Sequence, residues 1–132
     1  MKKLIVLLFA LVGLSIYANA QYADITDVKV ITQNGTFERS KVCVYYGLTS
    51  DGMKAVYDYN KDLKITISAN YPINQFLKQT EKSDTFYPVD NGNGRRKNGW
   101  MLEFECIDHE TARNLQKNGV STSDFSISTS IR

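Results

Sequence analysis

Polar and apolar residues alternate along three stretches of the chain, namely 63–69, 100–106 and 125–131. In each stretch an apolar side chain recurs at every second residue, which is typical of a strand with one buried face and one wet face. We therefore predict a β-strand over each of the three stretches. The second of these strands places the Cys106 side chain on its apolar face.

Four further segments are rich in β-branched, aromatic or alternating residues, and these also predict strands. The run from Val42 to Tyr46 is almost continuously apolar, which indicates a strand that is covered on both faces. Asn34-Gly35 is a strong signal for a hairpin turn before that run. The four predicted strands are 25–32, 36–48, 53–59 and 86–89.

Two segments carry the signals of short helices. After Pro72, apolar residues recur at helical spacing, which predicts a helix over 72–82. Asp108 is a suitable N-cap for a second helix over 109–117, and Gly119 is a suitable residue to follow its end. Because strands dominate and their connections are short, we predict an α+β fold, with a mainly antiparallel sheet of six to seven strands and the two helices packed on it.

The N-terminal segment has the three parts of a secretory signal peptide. A start with two lysines precedes an apolar stretch over 4–14, and small residues follow at Ala18 and Ala20. The apolar stretch is shorter than the roughly 20 residues that a membrane span needs. We predict that 1–20 is a bacterial-type signal peptide, and that 21–132 is one domain in the periplasm or outside the cell, with no membrane span after cleavage.

Charge and composition narrow the class of protein. The chain has 16 basic and 14 acidic residues, and both excess lysines lie in the predicted signal peptide. A neutral domain lacks the basic surface from which nucleic-acid binding draws most of its affinity, so we expect no nucleic-acid partner. The composition also differs from that of collagen-like, disordered and cysteine-dense proteins.

The two cysteines are Cys43 and Cys106. In an oxidising compartment a disulfide between them is the natural expectation. Its long loop gives a stabilisation of about 4 kcal/mol in the chain-entropy model. The alternative is a pair of separate buried thiols, which behave as small hydrophobic residues.

Two pairs of residues are candidates for catalysis. His109 follows Cys106 closely enough to suggest a thiol–imidazole pair, although an exposed surface histidine is the simpler expectation. Glu103 and Glu105 share one face of a predicted strand and could act as the acid and base of a glycoside hydrolase. They also occupy the polar half of a clean alternation, where solvated charges are expected. The sequence shows no metal-ligand spacing and no cofactor motif.

The polar loop 90–99 is the most unusual feature of the chain, because it concentrates three cations between glycines. It could contact an acidic partner or enter a protease cleft. On the predicted strand over 36–48, Tyr46 shares a face with two valines, and that face is covered either by the predicted helix 72–82 or by a partner. The candidate partner-binding residues are Arg95, Arg96, Lys97, Tyr46 and Trp100.

No motif that is diagnostic of a known family is present. The absence of a catalytic constellation favours an exported, non-enzymatic module without a cofactor, which binds an envelope or extracellular protein or a glycan. Two alternatives remain: a secreted inhibitor that presents loop 90–99, and a small hydrolase that uses Glu103 and Glu105.

Overall fold

The computed structural model describes residues 21–32, 39–88 and 100–132, together with the strand backbone of Arg95–Arg96. Three sequence predictions lie wholly or largely outside the described residues. They are the signal peptide over 1–20, the Asn34-Gly35 turn, and most of loop 90–99 with Lys97.

Seven strands are found in the described part of the chain: β1 (Ala23–Ile31), β2 (Lys41–Leu48), β3 (Leu63–Ala69), β4 (Glu81–Tyr87), β5 (Arg95–Arg96), β6 (Met101–Glu105) and β7 (Phe125–Ile131). They form two antiparallel sheets, with strand orders β1-β2-β6 and β5-β4-β3-β7. The antiparallel pairing that the sequence predicts is therefore confirmed, but the strands are divided between two sheets.

The helical elements are short. Helix α1 (Ser50–Met53) continues directly into a π-helical turn (Lys54–Asp58), and helix α2 (His109–Asn118) follows β6. Two 3₁₀ turns lie at Ile73–Phe76 and Thr122–Asp124. The described residues thus form two short α-helices and seven strands, which confirms the predicted α+β class.

The core lies between the two sheets, which pack face to face. Phe104 of β6 and Phe125 of β7 meet there with ring centroids 5.2 Å apart. The Tyr46 face of β2 is thus covered by the second sheet, and neither a helix nor a partner is needed there. Fully or almost fully buried residues of this core include Val42, Val44, Tyr46, Leu63, Ile65, Ile67, Phe86, Leu102, Phe104 and Phe125.

The strand predicted over 53–59 is wrong, because this segment is helical. Thr49 acts as the N-cap of α1, and its hydroxyl accepts a hydrogen bond of 3.1 Å from the Gly52 amide. The consecutive residues Ala55 and Val56 are both buried, which a strand with one wet face does not allow.

The helix predicted over 72–82 is also wrong. Only a 3₁₀ turn forms, and Leu77 after it is extended and forms an isolated β-bridge with Cys106. The Lys78 amide then donates a 2.9 Å hydrogen bond to the Glu105 carbonyl. Pairing with the end of β6 and burial of Leu77 therefore override the local helical spacing.

The helix predicted over 109–117 is confirmed as α2, which ends one residue later. The Asp108 carboxylate accepts a 2.7 Å hydrogen bond from the Thr111 amide, as expected for an N-cap. Ala112 and Leu115 face the core. Gly119 has a φ of 87°, a conformation that favours glycine at the residue after a helix.

The disulfide predicted between Cys43 and Cys106 is absent, and both residues are free, buried thiols. Cys43 lies opposite Glu103 in the β2–β6 pair, whereas Cys106 continues that register opposite Ser40. Because successive side chains of a strand point to opposite faces, the two thiols lie on opposite faces of the first sheet. Only Cys106 belongs to the inter-sheet core. A bridge between them would require the sheet to rearrange.

Candidate functional site

Tyr46, a predicted partner-binding residue, is 2% exposed and belongs to the core. Its hydroxyl donates a 2.7 Å hydrogen bond to the buried Asp84 carboxylate. Asp84 also accepts a 2.9 Å bond from the Thr85 amide. Tyr46 therefore stabilises the packing of the two sheets, and its assignment to a partner surface is corrected.

Trp100 lies at the surface beside this core, with 36% of its area exposed. Its ring contacts Phe86 at a centroid distance of 4.9 Å. The backbone of Arg95–Arg96 pairs with Phe86 and Tyr87 as β5, at the edge of the second sheet. The structure thus brings Trp100 and the described part of loop 90–99 to the same phenylalanine. Their role in partner binding stays a prediction.

Glu103 and Glu105 lie on the outer face of β6, where they line a charged groove of about 510 Å³. Lys41 on β2 crosses to Glu103, with a distance of 2.8 Å between its ammonium nitrogen and the carboxylate. The other side of the groove comes from the segment that links the 3₁₀ turn to β4. We call this the β6 groove, and its lining residues are Arg39, Lys41, Lys78, Gln79, Lys82, Glu103 and Glu105.

Glu105 is held by two cations. Arg39 donates hydrogen bonds of 3.1 and 3.5 Å to its two oxygens, and Lys78 donates one of 3.2 Å. The hydrogen bond from Lys78, with further help from Arg39, lowers the pKa of the Glu105 carboxyl below its ordinary value. Glu105 is therefore ionised at neutral pH, whereas a general acid in glycoside hydrolysis needs a raised pKa.

Lys82 is bound differently, because its ammonium group donates a 2.8 Å hydrogen bond to the backbone carbonyl of Glu103. The β6 groove therefore contains four cationic side chains and two carboxylates, and its net charge is positive. A smaller hollow of about 240 Å³ extends it along β6 past Met101 and Leu102, and shares Lys82 and Glu103 with it. The combined depression follows the edge strand of the first sheet.

The sequence located only part of this groove. The alternation in β6 correctly indicated that Glu103 and Glu105 share a wet face. The sequence does not predict that Arg39, Lys78 and Lys82 line this groove. Arg39 reaches it through the pairing of β2 with β6, Lys82 lies on β4, and Lys78 reaches it through the pairing of 77–78 with the end of β6. No local pattern in the sequence reports these contacts.

His109 forms a contact that the sequence does not indicate. Its Nδ1 lies 2.7 Å from the Ser40 hydroxyl, and the histidine is half-buried, although we expected it to be exposed. Ser40 itself is only 6% exposed, so its oxygen is poorly placed to attack a substrate from solution. The hydrogen bond instead joins the first turn of α2 to the residue before β2.

Neither a family model, a curated protein nor a solved structure matches this chain. Among the described residues, no group of three or more histidine, cysteine, aspartate or glutamate side chains is placed to hold a metal ion. The described helices are also too short or too polar to cross a membrane. The chemistry of the β6 groove is thus the principal guide to function.

Proposed function

We propose that the protein is an exported, non-enzymatic binding module, and that the β6 groove receives an extended, acidic segment of a protein partner. The observation that carries the proposal is the presence of four cations and only two carboxylates in one groove along an edge strand. The predicted signal peptide supports a partner in the envelope or outside the cell.

The charges of the groove can be exchanged for those of a partner. Arg39 and Lys78 share the single carboxylate of Glu105, and their side chains are 76% and 50% exposed. Exposed ion pairs of this kind contribute little to stability, so little is lost when one is replaced. A partner carboxylate would gain charge-assisted hydrogen bonds from donors that the groove already holds close together.

Lys82 is the cation of the groove that can most readily pair with an added negative charge. Its ammonium group is bound to a neutral carbonyl of Glu103 and lies within the same groove. An incoming carboxylate would pair with it more strongly than a neutral acceptor does.

The shape of the groove favours an extended chain. Together with the smaller hollow it is lined by four of the five residues of β6 and spans about 14 Å at the usual rise per residue. β6 is an edge strand of the first sheet, and edge strands can accept an extended peptide through their backbone groups. The end of β6 already pairs with 77–78, where the Lys78 amide donates to the Glu105 carbonyl, so a peptide would pair with the part of β6 before Glu105. The hydrogen bond from the Lys82 ammonium group covers one of those groups, the Glu103 carbonyl.

Binding of a fluorescein-labelled hexaglutamate peptide, followed by fluorescence anisotropy, tests the proposal. We expect Lys78→Glu/Lys82→Glu to weaken binding by about tenfold or more. The matched control is Lys64→Glu/Lys117→Glu, which makes the same change in net charge on β3 and α2, away from the groove. An equal loss in both variants, or no binding by the unmodified protein, would contradict the proposal.

A further inference from the structure

A second groove lies at the π-helical turn, and it presents an exposed tyrosine. π-Helical turns are rare and occur frequently at functional sites. Here the turn closes with a 2.9 Å hydrogen bond from the Tyr59 amide to the Lys54 carbonyl. Asn60 then adopts a φ of 53°, which reverses the chain and leaves the Tyr59 side chain at the surface with 67% of the residue exposed.

Close backbone packing and hydrogen bonds hold the wall of this groove together. Gly52 of α1 lies so close to β1 that any side chain at this position would overlap the Tyr22 carbonyl. The same carbonyl accepts a 3.0 Å hydrogen bond from the Thr49 amide, and the Tyr22 amide donates a 3.1 Å bond to the Thr129 hydroxyl. The start of β1, helix α1 and strand β7 are therefore fixed to one another around the groove.

The groove has a volume of about 550 Å³ and combines two kinds of lining. Two aromatic rings and an isoleucine supply apolar surface, while one carboxylate and two ammonium groups supply hydrogen-bond partners of opposite type. A tyrosine offers a flat apolar body together with a polar tip. These lining residues are Tyr22, Tyr59, Ile131, Asp51, Lys54 and Lys61, and Ala55 completes the lining.

We propose that this groove, which we call the Tyr59 groove, binds a pyranose ring of a carbohydrate. One face of such a ring presents C–H groups that can pack on Tyr59, and its rim presents hydroxyls. The Asp51 carboxylate can accept hydrogen bonds from the hydroxyls, and Lys54 and Lys61 can donate to their oxygens. A few polar groups around an apolar surface are the usual composition of a small-ligand site.

The Tyr59 groove shares none of its lining residues with the β6 groove. A sugar at the first would therefore leave the charges of the second in place. The inference goes beyond the proposed function, since it adds a ligand class and a site that the acidic partner does not use. Sugar binding at the Tyr59 groove does not depend on whether hexaglutamate binds at the β6 groove.

Isothermal titration calorimetry with maltotriose, triacetylchitotriose and trigalacturonate tests the inference. We expect at least one of these trisaccharides to bind, and Tyr59→Ala to weaken that binding by about tenfold or more. Tyr59→Phe keeps the ring and should bind within about twofold of the unmodified protein.

Tyr71→Ala provides the matched control, because Tyr71 is also highly exposed but lies outside the Tyr59 groove. It should bind the sugar as the unmodified protein does. Both alanine variants remove exposed rings, and circular dichroism should show that both remain folded. The inference is overturned if none of the three sugars binds, or if Tyr59→Ala binds as well as Tyr71→Ala.

Discussion

The two sheets have similar inner faces but very different outer faces. The outer face of the first sheet carries long charged side chains, of which Lys41, Glu103 and Glu105 are held in ion pairs. The outer face of the second sheet carries mostly short hydroxyl side chains, and two of them, Thr66 and Ser83, lie 3.0 Å apart. Its hydroxyl residues are Thr66, Ser68, Ser83, Thr85, Ser126, Ser128 and Ser130.

The difference separates the residues that specify the fold from those that offer a binding surface. Apolar side chains on both inner faces supply the core. The short hydroxyl side chains are compatible with a solvent-exposed face, but they do not extend far enough from the sheet to form a groove. The charged side chains of the first sheet and its neighbours converge on one groove instead, which is why we place the partner there.

The largest expected effect is on the shared core. Phe104→Ala should lower the free energy of unfolding by about 3–5 kcal/mol, because it removes a fully buried ring between the sheets. Ser128→Ala on the outer face of β7 should change it by no more than about 0.5 kcal/mol. Urea denaturation measures both. Similar losses in the two variants would contradict the assignment of inner and outer faces.

The buried polar pair between the sheets should have the next largest effect. Asp84→Ala removes the buried carboxylate that accepts hydrogen bonds from the Tyr46 hydroxyl and the Thr85 amide, which should lower the free energy of unfolding by about 1–3 kcal/mol. Tyr46→Phe and the double variant complete a double-mutant cycle. If the two losses simply add, the hydrogen bond does not couple the sheets.

The buried Cys106 thiol should make the folded protein less stable in alkali. Burial raises the pKa of Cys106 to about 11, with smaller contributions from Asp108, Glu105 and Cys43. Its folded-state pKa is raised, so the contribution to stability is complete below the unfolded pKa of about 9 and is lost as pH rises from there towards 11. The loss is at most about 1.4 kcal/mol per pH unit.

Urea denaturation of the unmodified protein and of Cys106→Ala between pH 8 and about 11 isolates this contribution, since other groups that titrate there are common to both. The difference in unfolding free energy between the two proteins should shrink as the pH rises. A constant difference across the range would show that Cys106 is not a buried, protonated thiol.

The smallest effect is expected for the ion pairs of the β6 groove. Glu105→Gln removes a carboxylate that two exposed cations share, so thermal unfolding should change less than for Phe104→Ala or Asp84→Ala. Its effect should appear in binding instead, because Arg39 and Lys78 are released for an acidic ligand. Hexaglutamate should bind this variant at least as well as the unmodified protein, and weaker binding would mean that Glu105 itself contacts the ligand.

The sequence predicts three elements with one wet face closely, namely β3, β7 and α2. The alternations over 63–69 and 125–131 coincide with β3 and β7, and the Asp108 cap and Gly119 bound α2 closely. In these elements the local pattern and the tertiary environment require the same conformation, so the pattern alone is sufficient.

Sequence-based prediction is wrong where pairing between distant segments determines the local conformation. Leu77 has the spacing of a helical residue but is extended because it pairs with Cys106. The register of β2 against β6 places Cys43 and Cys106 on opposite faces, and no local signal reports that register. The cations of the β6 groove were missed for the same reason, since Arg39, Lys78 and Lys82 meet only in the folded chain.

Titration of the ¹⁵N-labelled protein with unlabelled hexaglutamate, followed by amide chemical shifts, tests the central claim most directly. The account predicts shift changes along β6 and at Lys78, Gln79 and Lys82, which line the β6 groove. It predicts none on the outer face of β7 or around Tyr59. Changes concentrated on β7 or at the Tyr59 groove, or no changes at all, would contradict the assignment of the β6 groove as the surface for an acidic partner.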